Sequence, residues 1–472
     1  MHAHLTPVTT TSDSRRSADL DDACPGRPAL ASTSAPAAVS SPAAAFSSTG
    51  RSPFSTAPAV EASSFNVVPD RRGTASLKWD FAVERGRPEG VLPLWVADMD
   101  HATAPAVTSA LLWRTRHGIF GYSEPDDAYN AALTGWFSRR YGWEVEAAWN
   151  TVTPGVVPAL ALAVRALTAP GEAVLIEEPV YYPFREVVED NGRTVAAVPL
   201  VRDADGVYRR DLAALEATIE ATSSRLLLLC NPHNPVGRVW SRDELAALDE
   251  VAARHGVVVV ADEIHADLAL PGFATTPFAS LSEATAARTI TCTSPSKSFN
   301  LAGLQVANIL IADERLREAF RRELATTGYS QPNVLGLTAC RAAYEGGEAW
   351  LDALREHVAA ARAHVEARLE RIEGVEAAPC EGTYLLWLDC SSFLQTAGLT
   401  PDELDDVMLH EAGLWLDDGR IFGAGGEGFT RINVACPRTT LDAALDRLET
   451  AVATVTARAA ERAGRGRVAL SA

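Results

Sequence analysis

The chain has 472 residues, 47% hydrophobic and 22% charged, a composition typical of a folded globular protein long enough for two domains. Its net charge of −19 argues against a nucleic-acid-binding surface, which needs clustered lysine and arginine to replace counterions. The seven cysteines are scattered without a C-x-x-C pair, so free thiols are predicted, and neither a disulfide framework nor a metal site.

Residues 1–64 differ in composition from the rest of the chain. The stretch ASTSAPAAVSSPAAAFSSTG (31–50) is nearly all Ala, Ser and Pro, and it has no helical or strand period. Such a segment cannot offset the entropy cost of ordering, so a disordered tail is predicted. The N-terminus lacks the apolar core of a signal peptide, and no apolar run reaches the length of a membrane span. We therefore expect a cytoplasmic protein that contacts no membrane.

From about residue 150, short strand-like runs alternate with helical patterns. Four runs bounded by turn signals predict strands: AVLIEE (173–178), RLLLLC (225–230), GVVVVA (256–261) and RTITCT (288–293). Between the second and third, SRDELAALDEVAARHG (241–256) carries a capping box of Ser241 and Glu244 and a closing Gly256. This alternation predicts an α/β domain with a mainly parallel sheet.

After Tyr329 the pattern changes. AWLDALREHVAAARAHVEARLERIEG (349–374) predicts one long amphipathic helix. It is followed by a predicted strand at 383–388, a helix near 401–412, a strand at 429–435 and a final helix from about 439. We expect a smaller α+β domain at 336–465, a large cofactor-binding domain at 115–335, and an N-terminal segment at 65–114 that joins the small domain.

Three polar residues follow predicted strands at one edge of the sheet: Asn231, Asp262 and Lys297, the last within TSPSKSFNLAGLQ (293–305). Ligands of open parallel sheets bind at the carboxyl ends of the strands. Singly, each residue has an ordinary turn or surface role, but together they suit pyridoxal 5'-phosphate. A lysine forms its Schiff base, an aspartate keeps its ring nitrogen protonated, and an asparagine donates to its phenolic oxygen.

The phosphate of such a cofactor needs an anion site. TPGVVPALALAVRAL (153–167) predicts a helix whose first amides, those of Val156 and Val157, can bind a phosphate. Ser294 and Ser296 offer hydroxyl donors beside the lysine. An ordinary loop-to-helix junction fits the helix start equally well.

Several stretches resemble fold-type I pyridoxal-phosphate enzymes of the class I/II aminotransferase superfamily: CNPHNPVGRVW (230–240), ADEIHADL (261–268) and SPSKSFNLAGL (294–304). Others resemble the bacterial cystathionine β-lyase and cysteine-S-conjugate β-lyase branch: SLKWD (76–80), LPLWVADMD (92–100), HGIFGY (117–122) and PVYYPF (179–184). The resemblance runs from about residue 66 to 460. It implies a large domain with a mainly parallel sheet and a smaller α+β domain.

The resemblance also implies roles for individual residues. Tyr181 stacks on the cofactor ring and joins Lys297 as a catalytic group. Tyr122 reaches the phosphate of the neighbouring subunit, which implies a homodimer with shared active sites. Arg431, in TRINVA, grips the substrate α-carboxylate, a task that suits a planar two-donor guanidinium. An arginine in a surface ion pair is the alternative for Arg431.

Two positions depart from the common aminotransferase pattern. Many members place a phosphate-binding arginine eight residues after the lysine, where this chain has Gln305. They place a tyrosine three residues after the aspartate, where this chain has His265, which is expected to hydrogen-bond near the cofactor. Both departures favour the lyase branch.

Three functions compete. The first is a pyridoxal-phosphate β-lyase acting on cystathionine or a related sulfur amino acid, and the second is an aminotransferase on the same scaffold. The third is a cofactor-binding regulator, which is disfavoured because residues 1–64 show no helix-turn-helix pattern and no basic patch. The glycine-rich GAGGEG (423–428) precedes a strand, so it predicts a flexible turn leading to Arg431 and not a dinucleotide site.

Overall fold

The structure is a computed structural model that describes residues 65–470, with side chains described through residue 463. The predicted disordered tail, residues 1–64, lies outside the described residues. The helices are α1 (Pro105–His117), α2 (Asp127–Tyr141), α3 (Val156–Leu167), α4 (Pro183–Glu189), α5 (Leu212–Thr222), α6 (Arg242–His255), α7 (Glu283–Ala286), α8 (Pro295–Ser298), α9 (Glu314–Thr326), α10 (Val334–Gly346), α11 (Glu348–Leu369), α12 (Ser391–Ala397), α13 (Glu403–Asp406) and α14 (Arg438–Leu470).

The strands are short, as is usual for globular proteins. They are β1 (Leu92–Pro93), β2 (Asn150–Thr153), β3 (Ala173–Glu178), β4 (Thr194–Pro199), β5 (Val201–Arg202), β6 (Tyr208–Arg209), β7 (Leu226–Cys230), β8 (Val258–Asp262), β9 (Thr289–Thr293), β10 (Ala307–Leu310), β11 (Glu376–Ala377), β12 (Leu385–Asp389), β13 (Leu414–Trp415), β14 (Asp417–Asp418) and β15 (Phe429–Asn433).

Within the described chain, the central sheet has seven strands in the order β2-β10-β9-β8-β7-β3-β4. The pairs β3–β4, β3–β7, β7–β8 and β8–β9 are parallel, whereas β10 runs antiparallel to both of its neighbours. The mainly parallel sheet predicted from the alternating pattern is therefore confirmed. Its four predicted strands correspond to β3, β7, β8 and β9.

The continuous apolar run of β7 is explained by burial on both faces of the sheet. Leu226 and Leu228 pack in one hydrophobic cluster, and Leu227 and Leu229 pack in another on the opposite face. Alternate side chains of a strand point to opposite faces, so both faces of this strand are covered by helices. The strand therefore lies in the interior of the sheet.

The helix predicted at 241–256 is observed as α6, and its ends follow from the side chains at its termini. The Ser241 side chain accepts from the Glu244 amide while the Glu244 carboxylate accepts from the Ser241 amide, which is the predicted capping box. Gly256 closes the helix in the left-handed region, with φ 62°.

A second sheet is antiparallel and has the order β11-β12-β15-β14 among the described residues. β12 begins at Leu385, two residues later than predicted, because Thr383 has a left-handed φ of 72°. The single helix predicted near 401–412 is instead the short α13 followed by a π-helical turn at Val407–Glu411. β1 pairs in parallel with β13, so the N-terminal segment contacts this part of the chain.

None of the described helices combines the length and apolar character that crossing a membrane requires. The cysteines that the structure describes are buried and free. In residues 65–470 no group of three or more His, Cys, Asp or Glu side chains is arranged to hold a metal ion.

Candidate active site

A partly enclosed cavity lies at the carboxyl ends of β7, β8 and β9, the edge of the sheet predicted to bind a ligand. Its volume is about 190 Å³, large enough for a ligand and not merely for one water molecule. The predicted site residues on its wall are Val156, Val157, Tyr181, Asp262, His265, Ser294, Ser296 and Lys297. The structure also brings Asn234 and Gln305 to this wall.

Lys297 lies on α8, directly after β9. Ser294 caps this short helix by accepting from the Ser296 amide at 3.1 Å. The Lys297 Nζ donates to the carbonyl oxygen of Ala97 at 2.6 Å. Desolvation by the surrounding protein and, to a smaller extent, the Arg431 charge lower the pKa of Lys297 to about 8, against the opposing effect of Asp98 and Asp262. A substantial fraction of neutral amine is therefore available near neutral pH.

Asp262 is the last residue of β8 and is buried. Desolvation raises its pKa to about 7, although the Ile264 amide, which donates to Oδ1 at 3.1 Å, and the Lys297 charge both lower it. A cationic ring nitrogen placed against this carboxylate would favour its ionised form. The position and the chemistry of Asp262 thus fit the partner of a protonated pyridine.

The asparagine at the cavity is Asn234, and the assignment of Asn231 needs correction. The Asn231 amide nitrogen donates to Glu263 Oε1 at 3.1 Å and to the Thr276 carbonyl at 3.0 Å, so its donors are used away from the cavity. Asn234 lies three residues later, and its Oδ1 accepts from Arg431 at 2.8 Å. This bond orients the amide, and the Asn234 nitrogen is left as the donor for a ligand.

The predicted anion site lies at the start of α3. Val156 and Val157 are the first residues of this twelve-residue helix, and first-turn amides have no acceptor within their helix. Ser296 is on the cavity wall, but the Ser294 hydroxyl donates to the Val306 carbonyl at 2.6 Å. Its one hydroxyl hydrogen is therefore engaged, and Ser294 serves as a helix cap here. The predicted role of Ser294 as a phosphate donor is therefore corrected, because its hydroxyl donates to Val306 instead.

Arg431 does not line the cavity, but it contacts a residue that does. Its Nη1 donates to Asn234, and its Nη2 donates to the Trp95 carbonyl at 3.0 Å and forms an ion pair with Asp417. The guanidinium is buried and lies over the Phe422 ring at 4.8 Å. A surface ion pair, the alternative for this arginine, is excluded by its burial.

His265 and Tyr181 face the cavity in their neutral forms. Burial lowers the pKa of His265 well below its usual value, with added effects of Lys297 and Arg431, and its Nδ1 is buried without a hydrogen-bond partner in the described residues. Burial raises the pKa of Tyr181. His265 is part of the cavity wall, and its hydrogen bond to a bound cofactor stays a prediction.

Tyr122 lies away from this cavity. Its side chain is 93% exposed, in a surface depression with Phe120 and Tyr329. A residue so exposed can reach a site only on another molecule, so its role toward a neighbouring subunit stays a prediction.

One feature that sequence reasoning missed is the segment 94–101, here called the strap, which covers the lysine. The Ala97 carbonyl accepts from both Lys297 and the Tyr384 hydroxyl, the latter at 3.0 Å. Asn433 donates to the carbonyls of Val96 and Asp98, at 2.8 and 2.7 Å. The stretch LPLWVADMD (92–100) could have indicated it, but from the sequence this stretch was used only for the resemblance to the lyase branch and was not placed at the site.

The strap is also held by charge. Asp100 accepts from Lys78 Nζ at 2.8 Å, from Trp79 Nε1 at 2.9 Å and from Arg71 at 2.7 Å. Lys78 is fully buried, so this pair must stay intact for the charge to be tolerated. The stretch SLKWD therefore fixes the strap.

These residues form a site that fits pyridoxal 5'-phosphate. The cavity wall includes a lysine amine, a buried carboxylate, an amide with a free donor, a neutral imidazole and a helix N-terminus. An α/β fold with this donor set defines a pyridoxal-phosphate-dependent enzyme.

Comparison with known proteins supports a pyridoxal-phosphate-dependent enzyme. The chain belongs to the aminotransferase class I and II family, whose model matches residues 89–448. It is 43% identical to cystathionine beta-lyase PatB of Bacillus subtilis over 389 residues, 82% of this chain and 99% of that protein. It is 34% identical to protein MalY of Escherichia coli, over 80% of this chain and 96% of that protein.

Solved structures show the same fold. Cystalysin from Treponema denticola, which contains pyridoxal 5'-phosphate, superposes with a TM-score of 0.79 at 34% identity, covering 83% of this chain and 99% of that one. The pyridoxal-phosphate-bound C–S lyase of Staphylococcus hominis gives 0.77 at 30% identity, covering 82% and 97%. The expected fold-type I architecture is confirmed.

Proposed function

We propose that this protein is a pyridoxal-phosphate-dependent carbon–sulfur β-lyase. It cleaves cystathionine or another cysteine S-conjugate by α,β-elimination, giving pyruvate, ammonia and a thiol. The observation that carries the proposal is that Lys297, Asp262 and Asn234 line one cavity at the carboxyl ends of the parallel strands. Similarity to a cystathionine beta-lyase over 99% of that protein's length supports the choice of reaction.

The bound cofactor supplies an aldehyde that links to amino groups and a protonated ring that accepts the electron pair left at the substrate α-carbon. The Asp262 carboxylate would accept a hydrogen bond from the ring nitrogen and so keep that nitrogen protonated. The Asn234 amide would donate to the phenolic oxygen. Lys297 anchors the cofactor and, as a free amine at Nζ, takes the substrate α-proton. Its pKa of about 8 suits this task because the neutral amine is accessible near neutral pH.

The other groups hold and orient. The first amides of α3 and the Ser296 hydroxyl bind the phosphate, and Gln305 takes the place of a phosphate-binding arginine. Tyr181 stacks on the ring. Arg431 binds the α-carboxylate next to Asn234, to which it is hydrogen-bonded at 2.8 Å. The strap covers the lysine and keeps bulk water from it.

Quaternary structure and location belong to the same proposal. We infer a homodimer in which Tyr122 of one subunit serves the phosphate site of the other. Exposed apolar side chains near Tyr122, those of Ile119 and Phe120, support a covered surface there. We also propose that residues 65–114 form an N-terminal segment that joins the small domain, residues 115–335 the large domain and residues 336–465 the small domain. The proposed location is the cytoplasm.

An aminotransferase would use the same Lys297, Asp262 and Asn234, because both reactions begin with loss of the α-proton. The distinguishing experiment is to add cystathionine to the purified holoenzyme without any keto acid. Continuous release of pyruvate, ammonia and homocysteine is expected. Turnover that stops after about one equivalent per site and resumes with a keto acid would instead identify an aminotransferase.

A further inference from the structure

The guanidinium of Arg431 is already engaged by the protein. It has five N–H groups, and the acceptors it meets in the described residues come from three parts of the chain. Nη1 donates to Asn234 Oδ1 at 2.8 Å, and Nη2 donates to the Trp95 carbonyl at 3.0 Å and to the Asp417 carboxylate. Nε is buried without a partner.

This pattern leaves no edge of Arg431 with two free donors. A guanidinium has two such edges, Nε with Nη2 and Nη1 with Nη2, and both include Nη2. The two Nη2 hydrogens go to the Trp95 carbonyl and to Asp417. A substrate carboxylate can therefore form the two-donor pair only by displacing one of these acceptors.

Asp417 is held beside Arg431 by the sheet itself. It lies on β14 directly opposite Arg431 on β15, and it is only 7% exposed. A carboxylate fixed in this way neutralises the buried arginine when no substrate is present, which lowers the cost of burying that charge. It also places a negative charge where a substrate carboxylate must arrive.

We propose that Asp417 is an internal competitor for the α-carboxylate site, and thus a residue that sets the affinity for substrates and for the carboxylate product. This inference rests on the proposed role of Arg431. The arriving carboxylate meets a neutral ion pair and not a bare cation, so its binding is weaker than an unpaired arginine would allow. Weaker binding of the carboxylate favours release of pyruvate.

The ionisation of Asp417 is consistent with displacement. Burial raises the pKa of Asp417, while Arg431 and the more distant Arg87 oppose this effect and Asp405 adds to it. A buried carboxylate that loses its arginine takes up a proton more readily than an exposed one. When a substrate carboxylate displaces Asp417 from Arg431, Asp417 can therefore take up a proton, so that two negative charges need not lie side by side.

The test uses the holoenzyme and a pair of probes that lack an amino group, 3-(methylthio)propionate and 3-(methylthio)propionamide. Calorimetric titration compares the wild type with Asp417→Asn, which keeps the size of the side chain and removes its charge. The acid should bind at least about tenfold more tightly to the variant, because electrostatic competition is removed, and the neutral amide should bind equally to both. KM for cystathionine should fall, with no gain in kcat.

Asp418→Asn is the matched control. Asp418 is the next residue on β14, but its carboxylate pairs with Arg420 and caps the turn that follows, a role that asparagine keeps. This variant should bind both probes as the wild type does.

Unchanged or weaker acid binding by Asp417→Asn would overturn the inference, and weaker binding would mean that Asp417 merely holds Arg431 in place. If Asp417→Asn does not fold, Asp417→Ser gives the same comparison with a smaller side chain. A failure of the proposed function looks different: the wild type would then not prefer the acid to the amide, and Arg431→Ala would change neither affinity.

Discussion

The amine of Lys297 shares its acceptor, the Ala97 carbonyl, with a second donor that remains when the lysine is replaced. Lys297 donates to the Ala97 carbonyl, but the Tyr384 hydroxyl also donates there, at 3.0 Å. The strap therefore keeps a hydrogen bond in Lys297→Ala. We expect this variant to fold and to lose cystathionine cleavage by at least about a thousandfold, because its proton acceptor is gone. Pyruvate formation and the denaturant midpoint measure the two effects, and near-normal turnover would remove the proposed mechanism.

Glu263, next to Asp262, is a buried carboxyl group whose protonation should make the stability of the protein depend on pH. Oε1 accepts from Asn231 and from the Phe278 amide at 2.7 Å, while Oε2 is buried and unpaired. Burial raises the pKa of Glu263 from 4.5 to about 8, so the folded wild type keeps a proton that the unfolded chain releases. Its stabilising contribution is therefore fully present below about pH 4.5 and is lost as the pH rises to about 8.

Glu263→Gln imitates the protonated acid and does not titrate. Between about pH 5 and pH 9 the variant should gain roughly 2–4 kcal/mol in free energy of unfolding relative to the wild type. Urea unfolding of both proteins at the two pH values measures this difference. A constant difference would show that Glu263 is already ionised in the folded protein.

At the same scale, the asparagine shows where sequence reasoning fails. Asn231 directly follows a strand, which is the sequence signal for a ligand-binding position. In the structure the backbone N–H of Asn231 continues the strand pairing by donating to the Asp262 carbonyl at 2.9 Å. The turn that follows is closed by the bridge between His233 and Arg238, and it brings Asn234 to the cavity. The path of that turn depends on tertiary contacts that the local sequence does not reveal. Lys297 and Asp262 were predictable because Asp262 ends β8 and Lys297 lies on the short helix that directly follows β9, with no longer turn to move them.

At the scale of elements, the glycine-rich loop between β14 and β15 is fixed by Glu178. The Glu178 carboxylate accepts from the Ala424 amide at 3.0 Å, and a Cβ on Gly423 would come within 2.3 Å of that carboxylate. The loop was predicted to be a flexible turn, but these contacts tie it to the end of β3. It leads directly to Arg431.

Gly423→Ala should therefore destabilise the protein by more than backbone strain alone. Gly425 has a similar φ, +84° against +95°, but a Cβ there meets only Pro179 at 3.8 Å. Gly425→Ala is thus the control, with an expected cost of about 1–2 kcal/mol, and Gly423→Ala should cost about 2 kcal/mol more. Equal denaturant midpoints for the two variants would contradict the role given to Glu178.

Local patterns predicted β3, β7, β8, β9 and α6 to within about two residues, since apolar runs and caps are local signals, but they left β2, β4 and β10 of the same sheet unpredicted. They did not predict the pairing of β1 with β13, whose partners Leu92 and Leu414 are far apart in sequence. The strap was missed for the same reason. Several of its bonds come from Lys297, Tyr384 and Asn433, which are distant in sequence, and no periodicity within residues 94–101 indicates them.

At the scale of the whole molecule, the exposed Tyr122 predicts complementation between subunits. Tyr122→Ala and Lys297→Ala should each have little activity alone. Mixed after dissociation and reassociation, half of the dimers are hybrids, and each hybrid has one site with both native residues, so about a quarter of wild-type activity should return. No recovery in a mixture shown to contain hybrids would place Tyr122 outside the shared site.

The bonds of the strap also have a consequence for synthesis on the ribosome. Val96 and Asp98 are held by Asn433, and Trp95 by Arg431, so residues made early wait for partners made more than 300 residues later. A nascent chain that has not yet reached β15 can pair β7 with β8 and can bind Asp100 to Lys78, but it lacks the bonds that hold Trp95, Val96 and Asp98. Until that strand emerges, the cover over Lys297 is incomplete, and we expect its amine to be more open to aldehydes than in the finished protein.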